Sequence, residues 1–397
     1  MQPLVLSAST AVSAIGRGAD AHWQALQSRT GGLRPNDFDP MIGGWIGRVA
    51  GLEDHALPPH LARFACRNNT LADMALRTDG FAGAVAAARE QYGPGRIAVV
   101  LGTSTSGVMA AEDAYSNRDE AGALPQGFDY ASTQDLFSLG GYVRAALGLR
   151  GPALVVSTAC ASSARCMMDA AGLIRAGVVD AAVVGGADSL CRMTLHGFSA
   201  LELISPNPCR PCGADRTGIS IGEAAGFALL ERADAPERGV GPRMALLGAG
   251  ASSDGYHMSH PHPEGAGAVA AMREALHAAG LQPGDVDWIN LHGTGTRAND
   301  ATEDLAVSAV FGDAVPCSST KGWTGHTLGA CGILEAVIAG QCMAHETVAG
   351  CLGLDGADPS FRSQVATENL GRPVRRVVSN SFGFGGINCS LVLGAVH

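Results

Sequence analysis

Ala153-Leu154-Val155-Val156-Ser157-Thr158-Ala159-Cys160-Ala161-Ser162-Ser163-Ala164 is the stretch from which the fold is read. An apolar run ends at Ser157, small residues carry Cys160 round a turn, and apolar positions 164, 167, 168, 171 and 174 follow at helical spacing. The pattern predicts a strand over Ala153 to Ser157, a tight turn, and a helix over Ala161 to Ala176. Cys160 stands at the helix start, where free N–H groups and the dipole favour a thiolate. The stretch alone leaves two readings open: a small buried core residue, or a nucleophile, which would also need a partner acid or base.

Similar short apolar runs lie at Ile97 to Leu101 and Ala181 to Val184, and Ala-rich helical candidates at Thr70 to Arg89, Gly267 to Ala279 and Gly329 to Ala344. Near-continuous apolar strands separated by helices predict an α/β chain whose sheets are covered on both faces. At ~150 residues per unit, 397 residues make about two or three domain-sized units. Ala235-Pro236-Glu237-Arg238-Gly239-Val240-Gly241-Pro242 is the expected surface crossover, dividing the chain into 1–240 and 241–397. There is no low-complexity tract and no solenoid period.

The net charge of −10 argues against a nucleic-acid binder, and 46% hydrophobic with 16% charged residues argues against disorder. No apolar run reaches the ~18 residues of a membrane span, and the opening residues lack the pattern of a secretory signal, so a soluble, cytoplasmic protein is expected. Eleven cysteines without a dense framework fit reduced, mostly buried thiols. Cys209-Arg210-Pro211-Cys212 has no second pair at zinc-ribbon distance and reads as a loop with two buried cysteines. His257, His260 and His262 read as a polar loop near a pocket, and no metal site is expected. Gly102-Thr103-Ser104-Thr105-Ser106-Gly107 lacks the second glycine of a serine-hydrolase elbow and reads as a strand-end turn lining the active site.

Three further stretches carry chemistry. Asp287-Trp288-Ile289-Asn290-Leu291-His292-Gly293-Thr294-Gly295-Thr296 puts a histidine at a strand end, with two hydroxyls spaced to share one side of an extended segment. Taken alone, His292 is as readily a satisfied core histidine as a catalytic one. Ser318-Ser319-Thr320-Lys321 leads through Gly325-His326 to a Gly/Ala-rich helix whose one carboxylate is Glu335. Lys and Glu rarely stay buried unless paired, so a mutual pair and a solvated pair on opposite faces both remain open. Ser381-Phe382-Gly383-Phe384-Gly385-Gly386 is a glycine-rich turn before a final strand at Ser390 to Leu393.

With these elements in this order, the chain resembles the β-ketoacyl-acyl-carrier-protein synthases, the elongating ketosynthases of the thiolase superfamily. The likeness rests on Thr158-Ala159-Cys160, on His292 to Thr296, on Lys321 with Gly325-His326, and on Ser381 to Gly386. Asp215-Arg216-Thr217-Gly218, Gly222-Glu223-Ala224-Ala225-Gly226, Ser253 to Met258 and Trp23 to Leu26 extend it over almost the whole chain. The resemblance implies a thiolase-like, five-layered αβαβα sandwich of two similar halves. It implies a ping-pong condensation in which Cys160 holds an acyl chain and a malonyl thioester loses CO₂ to attack it. His292 and His326 would support decarboxylation and the enolate oxygen. Lys321, with Glu335 as partner, would hold the site electrostatically. The N–H groups of Cys160 and Phe384 would form the oxyanion hole, and Phe384 would also gate entry. Thr294 and Thr296 would hold the pantetheine arm, with Asp300 in support.

By the same resemblance, the enzyme needs no cofactor of its own, because phosphopantetheine arrives on an acyl carrier protein. That acidic partner would dock through Arg63 and Arg67, and the chain would form a homodimer or pair with a synthase-like subunit. His326 and Phe384 stand where starter synthases and degradative thiolases carry Asn and Cys, which favours an elongating enzyme over a CoA-dependent thiolase. Cys160 with both histidines argues against a non-catalytic chain-length subunit. The short N-terminus, Glu223-Ala224-Ala225-Gly226 and the Ser205 to Cys212 loop depart from housekeeping fatty-acid synthases and look more like aryl-polyene or polyketide pathway enzymes.

Overall fold

In a computed structural model describing residues 3–396, eleven strands make the path of the large sheet. In chain order they are Leu4–Ser13 (β1), Ile97–Gly102 (β2), Ala153–Val156 (β3), Ala181–Asp188 (β4), Ala224–Arg232 (β5) and Met244–Ser253 (β6). Trp288–Asn290 (β7), Pro316–Ser318 (β8), Gln364–Val365 (β9), Arg376–Gly383 (β10) and Ile387–Ala395 (β11) complete the set. The principal helices are Arg67–Leu76 (α1), Phe81–Tyr92 (α2), Phe137–Ala146 (α3), Ser162–Arg175 (α4), Arg192–Ala200 (α5), Ala266–Ala279 (α6), Arg297–Phe311 (α7) and Cys331–Ala344 (α8).

The strand order is β9-β8-β7-β10-β11-β6-β1-β5-β4-β2-β3. The residues before 240 thus supply one mixed sheet and those after it another. Antiparallel pairing of β1 with β6, Leu4 opposite Leu246 and Leu6 opposite Met244, joins them edge to edge. Helices α4 and α8 pack against strands of both sheets, α4 on β2, β4 and β11, α8 on β1, β5, β10 and β11. Helices α1, α2 and α3 cover the other face of the first sheet, and α6 with α7 stacked on it covers the second. That is the five-layered α/β sandwich. Its middle core includes Val100, Met167, Val184, Ile333, Val337 and Leu391, all essentially inaccessible to solvent.

Small residues let the middle layer close. A Cβ on Gly332 would lie 2.7 Å from the Ala164 nitrogen, so α4 and α8 meet backbone to backbone only because that position is glycine. The helix expected over Thr70 to Arg89 is instead two, α1 and α2. Asp79 (φ 55°) and Gly80 (φ 81°) break it, and the Asp79 carboxylate accepts the Thr10 hydroxyl at 2.9 Å and the Ala19 N–H at 3.0 Å. Tertiary hydrogen bonds outweigh helical propensity there. The opening residues, which lack the pattern of a secretory signal, form β1, and all ten of its residues are buried between β5 and β6. Residues 235–242 are irregular, as expected of a crossover, although Val240 is buried and its carbonyl accepts the Ser9 N–H.

Candidate active site

The first sheet delivers one reactive atom. Past β3 the chain turns through Ala159 in a left-handed conformation (φ 49°) and presents Cys160 just before α4. The turn is braced on both sides: Ser162 Oγ donates to the Ala159 carbonyl at 2.6 Å, and Ser104 Oγ donates to it at 3.2 Å. Ser104 is in turn fixed by Asp188 at the end of β4. This buried carboxylate accepts N–H groups from Ser104, Thr105 and Gly329 and the hydroxyls of Thr103 and Thr105. The turn at 102–107 therefore braces the Cys160 turn from behind; none of its residues lines the cavity beside Cys160.

The second sheet delivers the rest. His292 follows β7, and its N–H and that of Gly293 are each received at 2.8 Å by Glu303, one carboxylate facing back from α7. His326 lies in the loop before α8, with its backbone clamped to residues of the other half: its N–H donates to the Ser220 carbonyl at 2.7 Å and its carbonyl accepts the Gly222 N–H at 3.0 Å. Cys160 Sγ, His292 and His326 converge so closely that one ligand-type atom from each lies within 4.8 Å of the others. All three side chains are buried.

Hydrogen bonding sets the state of each ring. The Leu328 N–H donates to His326 Nδ1 at 3.3 Å, so the ring proton sits on Nε2, 2.9 Å from Cys160 Sγ. His292 Nδ1 is buried without a hydrogen-bond partner among the described residues, and the residue lines the cavity that holds Cys160 and His326. Burial pushes both imidazoles well below their ordinary pKa, and the Lys321 ammonium adds to the effect, so both stay neutral. Burial likewise pushes the Cys160 thiol up to about 12, opposed by the Lys321 ammonium and by the backbone N–H groups of Phe384 and of Cys160 itself. In the folded chain desolvation exceeds the helix-start effect expected from the sequence, and the balance favours the protonated thiol.

Lys321 and Glu335 form a fully buried ion pair, Nζ to Oε1 2.6 Å. Burial alone would discharge the amine, but the facing carboxylate holds its pKa above the ordinary lysine value. Lys321 is the only lysine in the chain, so the site's fixed positive charge has no other lysine to replace it. Phe384 lies in the loop between β10 and β11, its ring 5.5 Å from that of Phe198 on α5. Gly383 brings that loop onto the Cys160 turn: a Cβ there would meet the Thr158 carbonyl at 2.8 Å and the Cys160 nitrogen at 3.2 Å. A cavity of about 420 Å³ opens from Cys160, His292 and His326 past Phe384, Thr294 and Thr296 to the surface. The two threonine hydroxyls are 2.9 Å apart.

Residues 60–235 match the family described as "Beta-ketoacyl synthase, N-terminal domain", and residues 244–355 match "Beta-ketoacyl synthase, C-terminal domain". The chain is a β-ketoacyl synthase. It is 32% identical to "Nodulation protein E" of Rhizobium sp. (strain N33) over 99% of both chains. It is 37% identical to "3-oxoacyl-[acyl-carrier-protein] synthase 2" of Rhizobium meliloti (strain 1021), over 74% of this chain and 73% of the relative. The ketosynthase ApeO, solved in complex with its chain length factor ApeC from Xenorhabdus doucetiae, superposes with a TM-score of 0.89 at 38% identity, over 100% of this chain and 98% of that one.

Against the sequence analysis, the synthase brings together Cys160, His292, His326, Lys321, Glu335, Phe384, Thr294 and Thr296. Asp300 is buried beneath the Thr294–Thr296 loop, accepting the N–H groups of Gly295 and Cys212, and does not line the cavity. Arg67 is not available to a partner. Its guanidinium is 9% exposed and holds Glu223 at 2.7 Å and Glu53 at 2.8 Å, because the buried Glu223 carboxylate needs a cation. Arg63 is exposed and lines a separate surface pocket with Arg144. Cys209 and Cys212 are buried loop residues, and His260 lines the cavity mouth. Sequence reasoning missed Glu303 and Asp188. The spacing Asp300-x-x-Glu303 on one helical face was a usable signal for Glu303; Asp188, among apolar strand residues, gave none. No helix among the described residues is long and apolar enough to cross a membrane.

Proposed function

We propose that this β-ketoacyl synthase is a stand-alone elongating enzyme that condenses an acyl thioester with a malonyl thioester, both delivered on an acyl carrier protein. One observation carries the reading: a thiol, two neutral imidazoles and two N–H groups converge on one cavity beside a permanent ammonium.

In the first half-reaction Cys160 Sγ bonds to the acyl carbonyl carbon, its proton leaves, and the C–S bond to the carrier breaks, the carrier thiolate taking up a proton. The Cys160 and Phe384 N–H groups receive the oxyanion, a contribution of about 3 kcal/mol for a single such donor. In the second, the malonyl carboxylate departs as CO₂ and its electron pair enters the thioester as an enolate. Neutral imidazole N–H groups stabilise the enolate oxygen, and Lys321 lowers the local potential without giving up its proton. The enolate carbon then attacks the acyl-cysteine carbonyl; a C–C bond forms, the C–S bond to Cys160 breaks, and the sulfur takes up a proton from solvent water. No cofactor bound to this chain is required by these steps.

The reading places the nucleophile in residues 1–240 and the histidines and lysine in 241–397, in a cytoplasmic enzyme of fatty-acid or polyene/polyketide synthesis. The relative solved with a chain length factor supports a synthase-like partner subunit. So does β3, the end strand of the sheet, whose Leu154 is 45% exposed and whose apolar edge calls for cover. Incubation with a panel of acyl-carrier thioesters, followed by mass spectrometry, tests the function. The acyl group is expected on Cys160; its appearance on any other residue overturns the reading.

A further inference from the structure

The cavity has an inner and an outer part, and the outer part carries a residue that the condensation steps do not use. Thr294 and Thr296 stand between the buried sulfur and the surface, and the next residue, Arg297, lines the same cavity at its exposed end. Among the described residues no other arginine or lysine lines it. Arg297 makes no ion pair with another described residue, whereas Arg210 and Arg216 do. Its backbone is anchored from below, its carbonyl accepting Arg216 Nη2 at 3.4 Å, and the Arg216 guanidinium is itself held by Asp358 at 2.6 Å. Two carboxylates share the lining, Glu202 and Asp254. Asp254 is already satisfied by Asn388 Nδ2 at 2.7 Å and the His262 N–H at 3.0 Å. An unpaired guanidinium on a fixed platform at a cavity mouth is suited to an anion, and its planar fork matches phosphate oxygens in particular.

Resting on the function proposed above, we propose that Arg297 grips the phosphate of the phosphopantetheine arm and sets the enzyme's preference for phosphorylated carriers. The arm's thiol end must reach Cys160, so its opposite, phosphate end lies at the outer end of the cavity. The threonine hydroxyls stand between the two, level with the arm's amides.

The test compares three donors of one acyl group: the pantetheine thioester, the 4′-phosphopantetheine thioester and the carrier-bound thioester, each followed by acylation of Cys160. Wild type is expected to load from the phosphorylated small thioester about tenfold or more faster in kcat/KM than from the unphosphorylated one, the usual scale of a charge-assisted hydrogen bond. Arg297→Ala should erase that preference through KM and leave the pantetheine thioester within about twofold of wild type, as expected when a contact outside the reacting centre is removed. Arg297→Lys should restore part of it. Equal loss on both small thioesters, or no loss on either, overturns the assignment while leaving the function intact. Failure of wild type to load from all three donors overturns the functional reading and the Arg297 assignment with it.

Discussion

Two cysteines open the two helices of the middle layer, and only one of them is placed to react. Cys160 precedes α4 and Cys331 begins α8; each follows a short turn and each is buried. Burial raises the pKa of both thiols. Cys331 donates its S–H to the Cys160 carbonyl at 3.1 Å and does not line the cavity, so its sulfur is committed to holding the backbone. Cys160 Sγ faces an imidazole, two N–H groups and open space. A helix start alone therefore does not set a sulfur for the chemistry proposed here. Donors brought from the other half of the chain do.

The largest expected effects are at the two sulfurs. Cys160→Ala should abolish acyl-enzyme formation and lower kcat by four orders of magnitude or more, on the scale seen when a covalent nucleophile is removed. Cys331→Ala should still acylate at Cys160, as read by intact-mass and peptide analysis; an unacylated but folded Cys331→Ala protein would show that both sulfurs are required.

Next in size is the buried pair beneath them. Lys321→Ala leaves Glu335 uncompensated and should cost about 3–5 kcal/mol of stability in denaturant unfolding, the usual penalty for breaking a buried pair. Lys321→Met with Glu335→Gln should recover much of that stability but not condensation activity, which separates the charge's structural role from its electrostatic one.

Because desolvation raises the Cys160 pKa, its alkylation by iodoacetamide should climb steadily as pH rises through 9, with no plateau near the ordinary thiol value, whereas Cys331 should stay unlabelled in the folded protein. A plateau below pH 8 would instead mean that the thiolate already exists in the resting enzyme.

A smaller effect belongs to Glu303, whose carboxyl burial pushes up to about 7. Its folded-state pKa lies above its unfolded value, so the folded chain binds that proton more tightly. Its contribution to stability is full below the unfolded value and is lost as pH rises through about 7. Glu303→Gln should flatten that part of a stability-against-pH curve obtained by denaturant titration. The smallest expected change is at the surface. Arg63→Glu with Arg144→Glu should raise the apparent KM for carrier-bound substrate several-fold, as rim charges do, and leave a small thioester unaffected.

Much of the site was legible because its residues carry chemistry in short, ordered signals. Cys160 after an apolar strand, His292 between strand and glycines, and Lys321 with His326 before a helix bearing Glu335 could each be picked out locally. Residues whose work is to hold others were harder to find. Glu303 serves main-chain N–H groups ten and eleven residues away, and Asp188 ties together turns from both halves. Arg67 showed the opposite error. It looked free in sequence and is consumed by Glu223, 156 residues distant.

Amino-acid order by itself determined the alternation of apolar strands and Ala-rich helices, because side-chain periodicity is a local property. It also determined which atoms could act as nucleophile, proton donors and fixed cation. Only the tertiary structure decided that β1 lies at the centre of the sheet, that the helix after Arg67 breaks at Asp79, and that one sulfur of two faces the imidazoles. Each of those depends on burial and on hydrogen bonds between residues far apart in the chain, and desolvation is a property of the packed surroundings.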